Sequence, residues 1–141
     1  KTDGASTTST TATTTGFAVA ITPVATSSKI LLHVNFGTLT NQYGGRFVHL
    51  LIDGGNCATY IGDAGTGHEA AGSLFAPENY IANESVSMMY LDAPDTDSEV
   101  TYTVHWWIAA NGGTANLNVV HTPSADSGNN ASTFTAMEIL A

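Results

Sequence analysis

One stretch, Val100 to Thr122, constrains the fold more than any other: V-T-Y-T-V-H-W-W-I and T-A-N-L-N-V-V flank a turn-forming Asn111-Gly112-Gly113-Thr114. Successive side chains of a strand point to opposite faces, so Val100, Tyr102, Val104, Trp106 and Ile108 share one side. Thr101, Thr103, His105 and Trp107 share the other. Asn-Gly and Gly-Gly accept the positive φ angles of tight reversals, and the segment is therefore expected to form a β-hairpin with one core face. Trp107 is then on the wrong side for a solvated sheet.

The same alternation recurs along the chain. Phe17, Val19 and Ile21 alternate with alanines up to Pro23, which ends the strand by removing a ladder donor. Over Lys29–Thr40, Ile30, Leu32, Val34 and Phe36 face inward, against Leu31, His33 and Asn35. Arg46–Asp53 sends Val48, Leu50 and Ile52 inward and Phe47, His49 and Leu51 outward, with a second hairpin signal at Asp53-Gly54-Gly55-Asn56 and a short return over Cys57–Ile61. Ser85–Leu91 sets Val86, Met88 and Tyr90 against Met89 and Leu91, and Ala131–Leu140 is a last strand. Gly62–Glu84 has no sustained period and reads as a long irregular loop. No segment repeats at 3.6 residues. These elements predict an all-β chain: an antiparallel, jelly-roll-like β-sandwich of about eight strands. Residues 16–141 form the single sandwich domain, after a Ser/Thr-rich linker or edge strand over residues 1–15.

Composition narrows the partners. Twelve acidic residues against three basic ones give a net charge of −9, which repels nucleic acid and anionic lipid. No apolar run approaches the roughly 20 residues of a spanning helix, so neither nucleic acid binding nor membrane insertion is expected. No signal peptide is evident, and the chain opens at Lys1 without Met, leaving open whether Lys1 is a natural start. Only 11% of residues are charged, a polar but weakly ionic surface. The lone Cys57 reads as a small buried core residue.

Candidate chemistry is sparse. His33, His49 and His105 fall on outward faces of different strands without the short spacings of a zinc site. Asp95, Asp97 and Glu99 have the alternate spacing that can gather oxygens around calcium, but lack the glycine and distal glutamate of a helix-loop-helix site, so a solvated loop is preferred. Ser73 near His68, or Cys57 near His49, lacks any oxyanion context for catalysis. The glycines at 62, 65 and 67 lack the strand-helix setting of a phosphate loop. No enzyme activity, cofactor or metal is expected. The stronger signal is the surplus of outward apolar residues. Leu31, Phe47, Leu51, Met89 and Trp107, with Leu91, are expected to be covered in a subunit interface of a cyclic homo-oligomer.

Several phrases, in order, resemble a family: S-T-T-S-T-T (Ser6–Thr11), T-G-F-A-V-A-I-T-P (Thr15–Pro23), T-S-S-K-I-L-L (Thr26–Leu32), I-G-D-A-G (Ile61–Gly65), L-D-A-P (Leu91–Pro94), V-T-Y-T-V (Val100–Val104) and T-A-M-E-I-L-A (Thr135–Ala141). Together they resemble the carboxy-terminal head domain of fibre and appendage proteins of tailed bacteriophages, over almost the whole chain. The resemblance implies a jelly roll of tumour-necrosis-factor-like architecture, a homotrimer at the end of a virion fibre joined to other fibre segments, and attachment to a host-surface glycan or protein receptor. It brings no catalytic residues. Loops containing Tyr43, His68, Tyr80 and Asp95 are the expected receptor contacts. The alternatives are a capsid-decorating or fibre-assembly module without a receptor, and a carbohydrate-binding module of a secreted enzyme stacking sugars on Tyr43, Tyr60 and Tyr80.

Overall fold

The computed structural model describes residues 4–42, 46–57, 72–76, 82–109, 113–119 and 130–140. Among these lie nine strands: β1 (Ala5–Thr7), β2 (Thr13–Ile21), β3 (Lys29–Gln42), β4 (Arg46–Asp53), β5 (Gly72–Ala76), β6 (Ala82–Asp92), β7 (Val100–Ile108), β8 (Thr114–Leu117) and β9 (Thr133–Ile139). The sandwich is all-β and antiparallel, as the alternation requires. β1 pairs β8, β2 pairs β7, β3 pairs β6 and β4 pairs β5. That nesting is what a long hairpin gives when it rolls into two sheets, and it defines a jelly roll. The sheets run β1-β8-β3-β6, with β9 also on β3, and β2-β7-β4-β5.

β3 is the hub of the first sheet. One of its edges carries β6, and the other carries β9 along Lys29–Asn35 and then β8 along Leu39–Gln42. Where the partner changes, the ladder is broken between Phe36 and Leu39. Side chains satisfy the backbone there: Gly37 N donates to Ser132 Oγ, Ser132 Oγ donates to Asn118 Oδ1, and Ser85 Oγ donates to Gly37 O. The second sheet has a similar repair in β2. Gly16 takes a φ of 68°, while Thr15 Oγ1 donates to Val104 O and accepts from Phe17 N.

The core lies between the sheets and is built from the alternating residues. Ile30, Leu32, Val34 and Phe36 of β3 are fully buried, as are Tyr102, Val104 and Ile108 of β7 and Leu50 of β4. Phe17 bridges the layers, its ring 5.9 Å from those of both Phe36 and Phe134 in tilted contacts.

Several sequence expectations are corrected. β7 and β8 do not form a hairpin: the turn expected at Asn111-Gly112 lies outside the described residues, and the two strands on either side of it enter different sheets, because both edges of β7 are taken by β2 and β4. A turn signal fixes a reversal of direction and not the partner. Of the short return expected over Cys57–Ile61 only Cys57 lies within the described residues, and β4 finds an antiparallel partner in β5, inside the stretch expected to be wholly irregular. At the amino terminus β1 is an edge strand, one of the two forms expected for residues 1–15, and β2 begins at Thr13, three residues before the expected start of the sandwich.

Trp107 is only 5% exposed within the single chain. Alternation ends at the close of β7, where Trp106, Trp107 and Ile108 are all buried. β4 pairs alongside, and Ile108 N donates to Ser9 O at 2.8 Å. Trp107 belongs to the subunit's own packing, and its truncation is a loss to the fold before it is a loss to any interface.

Candidate functional site

The outward residues of β6, β3 and β9 form one surface because their registers coincide. Leu91, Leu31 and Met137 make one cross-strand row; Met89, His33 and Thr135 make the next; Lys29 lies beside Ile139. Neighbouring rows on one face are about 7 Å apart and neighbouring strands about 5 Å, so these side chains touch or nearly touch. Met89 is 68% exposed, Met137 56%, Leu91 48% and Ile139 43%. The inward partners of the same rows, Leu32 and Val34 with Met88 and Ala136, belong to or pack on the core.

Negative charge is absent from this face. Along Lys29–Asn35 of β3 and its partners on β6 and β9, the outward residues by register are Lys29, Leu31, His33, Asn35, Ser87, Met89, Leu91, Thr133, Thr135, Met137 and Ile139, with no carboxylate among them; the exposed Glu84 of β6 lies past the break in the ladder. Chains this acidic repel one another over most of their surface. This face is where two copies can meet without opposed carboxylates, and covering half-exposed Leu and Met side chains yields about 1 kcal/mol each.

Leu31 and Met89 therefore do come together. Phe47, Leu51 and Trp107 do not join them, because they belong to β4 and β7 of the other sheet. The side chains of Phe47 and Leu51 lie outside the described residues. Met137 and Ile139 were not foreseen. Phe134 carried the signal, since placing it in the core puts every second residue from Thr135 to Ile139 outside. Glu138 obscures that pattern by lying on the inward side at the rim, where its Oε1 accepts Val24 N at 2.7 Å.

Of the expected receptor contacts, Tyr43, His68 and Tyr80 lie outside the described residues. Asp95 is exposed and holds a φ of 53° in the loop after β6. Its neighbours Asp97 and Glu99 are also exposed, whereas Asp92 at the loop's base is fully buried. The Asp92 carboxylate accepts Tyr102 OH at 2.7 Å and Asn56 N at 3.2 and 3.3 Å, and Asn56 Nδ2 donates to Ala93 O at 2.5 Å. Gly55, at φ 57°, packs so closely on Asp92 Oδ2 that no Cβ fits. The turn after β4 and the loop after β6 are thereby stapled together, leaving Asp95, Asp97 and Glu99 displayed from a fixed base.

The three histidines do not converge: His33 is in the first sheet, while His49 and His105 are in the second, where His105 Nε2 lies 3.7 Å from Asp53 Oδ2. Among the described residues no three His, Cys, Asp or Glu side chains are placed to share a metal ion, and no helix is long and apolar enough to cross a membrane. Cys57 is buried and its thiol is pushed up to about 12, first by burial and then by Asp92 and Asp53. Tyr102 is raised by burial and by its bond to Asp92. Both groups keep their protons in the fold at pH values where the unfolded chain releases them. Stability should therefore be intact below pH 9.0 and decline as pH climbs toward about 12. Thermal melts across that range check this, and Cys57→Ala should flatten part of the decline. Melting temperatures constant to pH 11 would contradict it.

Comparison with family models, with curated proteins and with solved structures found no match.

Proposed function

We propose that the chain is a non-catalytic head domain that assembles through the β6-β3-β9 face as a homotrimer at the distal end of a bacteriophage fibre, where it attaches the virion to a host-surface glycan. The exposed, carboxylate-free apolar face carries the reading: Met89, Leu91, Met137 and Ile139 are open to solvent in the isolated chain, and a second copy approaching there meets no carboxylate on this side of the contact. The jelly roll agrees with the architecture that the phage-like phrases imply, and those phrases alone supply the fibre and the number three. Attachment is assigned to loops held on a rigid scaffold, of which the stapled Asp92–Glu99 loop is the described example. Three such loop sets per fibre multiply weak contacts into avidity.

Sedimentation of the purified chain tests the assembly: a trimer near neutral pH is expected, and a stable monomer at micromolar concentration removes the proposal's foundation. Attachment is tested by binding of the assembled chain to host cells and by its competition with infection, with glycosidase-treated cells as the control for the ligand class. The same apolar face would serve a fibre-assembly or capsid-decorating module equally well. Deleting the domain separates the two readings, since intact but non-adsorbing particles mark attachment and missing fibres mark assembly alone.

A further inference from the structure

We infer that His33 makes assembly through the β6-β3-β9 face reversible by mild acid: copies associate over the neutral imidazole, and its protonation separates them. The inference rests on the reading that this face meets another copy of the chain.

His33 occupies the middle of the face. It lies opposite Met89 on β6 and Thr135 on β9, with Leu31 two residues away on its own strand. The ring is exposed in the single chain, and Nε2 is 3.0 Å from Ser87 Oγ. That hydroxyl also reaches Val34 O at 3.3 Å. With the hydroxyl proton directed to Val34 O, Ser87 accepts from an Nε2–H, and Nδ1 remains as the nitrogen that takes up a second proton.

No counter-charge waits for that proton. β6 turns Ser87, Met89 and Leu91 toward this face, β9 turns Thr133, Thr135 and Met137, and β3 itself adds Leu31 and Asn35. The charged residue on the described face is Lys29, of the same sign as an imidazolium. In the separated subunit a cation at His33 is hydrated. Covered by the apolar residues of a neighbour, it loses that hydration, and its own face offers no carboxylate in return, so the charged ring opposes assembly. The neutral ring, by contrast, is covered at little cost while keeping its bond to Ser87.

The sign follows from linkage. The separated subunit binds the proton and the assembly excludes it, so falling pH favours separation. Histidine is the side chain that takes up a proton between pH 8.0 and 5.5, so the assembly should dissociate over that range.

Sedimentation velocity on the whole chain at pH 8.0 and 5.5, with far-ultraviolet circular dichroism on the same samples, tests this. The wild-type chain should be assembled at pH 8.0 and dissociated but folded at pH 5.5. His33→Gln should stay assembled at both, and His33→Lys should be dissociated at both. The inference is overturned if the wild-type assembly is equally tight at pH 5.5, if His33→Gln dissociates in acid as the wild-type chain does, or if dissociation accompanies loss of the β spectrum. In each of those cases assembly at pH 8.0 leaves the proposed function standing. A wild-type monomer at pH 8.0 overturns both.

Discussion

Met89→Asp together with Met137→Asp should convert the assembled chain into a folded monomer. Both side chains are more than half exposed in the single subunit, 68% and 56%, so their replacement removes almost nothing from the core. They flank the His33 and Leu31 rows on opposite neighbouring strands, so any partner covering the centre of the face also covers both positions. Each carboxylate then has to be desolvated without a cation to meet it, at about 3–5 kcal/mol per uncompensated charge. Against gains of about 1 kcal/mol per covered apolar side chain, that loss decides the outcome. The measurement is a pair: sedimentation for the assembly and thermal melting at low concentration for the subunit. A double variant that stays assembled would move the interface away from this face, whereas one that melts far below the wild-type monomer would mean these methionines support the fold.

The second large effect is expected at the buried carboxylate. Asp92→Ala leaves the buried Tyr102 OH and the half-buried Asn56 N without their acceptor. At about 1–3 kcal/mol for each stranded donor, the loss should reach about 3–5 kcal/mol, a fall in Tm on the order of 10 °C or more. Tyr102→Phe strands nothing on its own side and takes one of the donors from Asp92, so it should cost about 1–3 kcal/mol. Because the two residues share one bond, the double variant should cost less than the sum. Additive losses in urea titrations would show that Asp92 acts through something other than Tyr102. Loss of the staple should also loosen the base of the Asp95 loop, and attachment should weaken before the fold is lost.

How much of this was legible from residues alone differs by level. Strands and faces were, because alternation is a local property: Ile30 to Phe36 and Tyr102 to Ile108 declare their inward sides without reference to any partner. Pairing was not. Asn111-Gly112-Gly113 is a good local turn signal in the sequence, yet β7 and β8 on either side of it belong to different sheets, since hydrogen-bonding edges are allotted by the whole topology. β5 escaped because five residues, Gly-Ser-Leu-Phe-Ala, are too few to display a period between glycine-rich and proline-containing neighbours. For the candidate site, Leu31 and Met89 could be read as outward apolar residues, but which of the outward residues share a surface could not. That depends on register, which places Met137 beside Leu31 and sends Trp107 to the other sheet. Asp92 had the look of one more acid in a solvated loop. Its burial follows from Tyr102 standing opposite with a hydroxyl to donate, and nothing near Asp92 in the chain announces that.

The position of β3 at the centre of its sheet has a bearing on how the protein is made. Everything β3 pairs with is synthesised after it: β6 on one edge, then β8 and β9 on the other. β1, made first, waits for β8 near the end of the described chain. Few contacts are local, so folding must close long loops before it gains burial, and the chain should fold slowly, as all-β proteins of high contact order do. Until β9 arrives, β3 has an open hydrogen-bonding edge along Lys29–Asn35, beside the exposed Met89 and Leu91 of β6. A nascent chain in that condition is most at risk of pairing with its neighbours on the same message, and β9, the last of the described strands, is the one that closes the hazard.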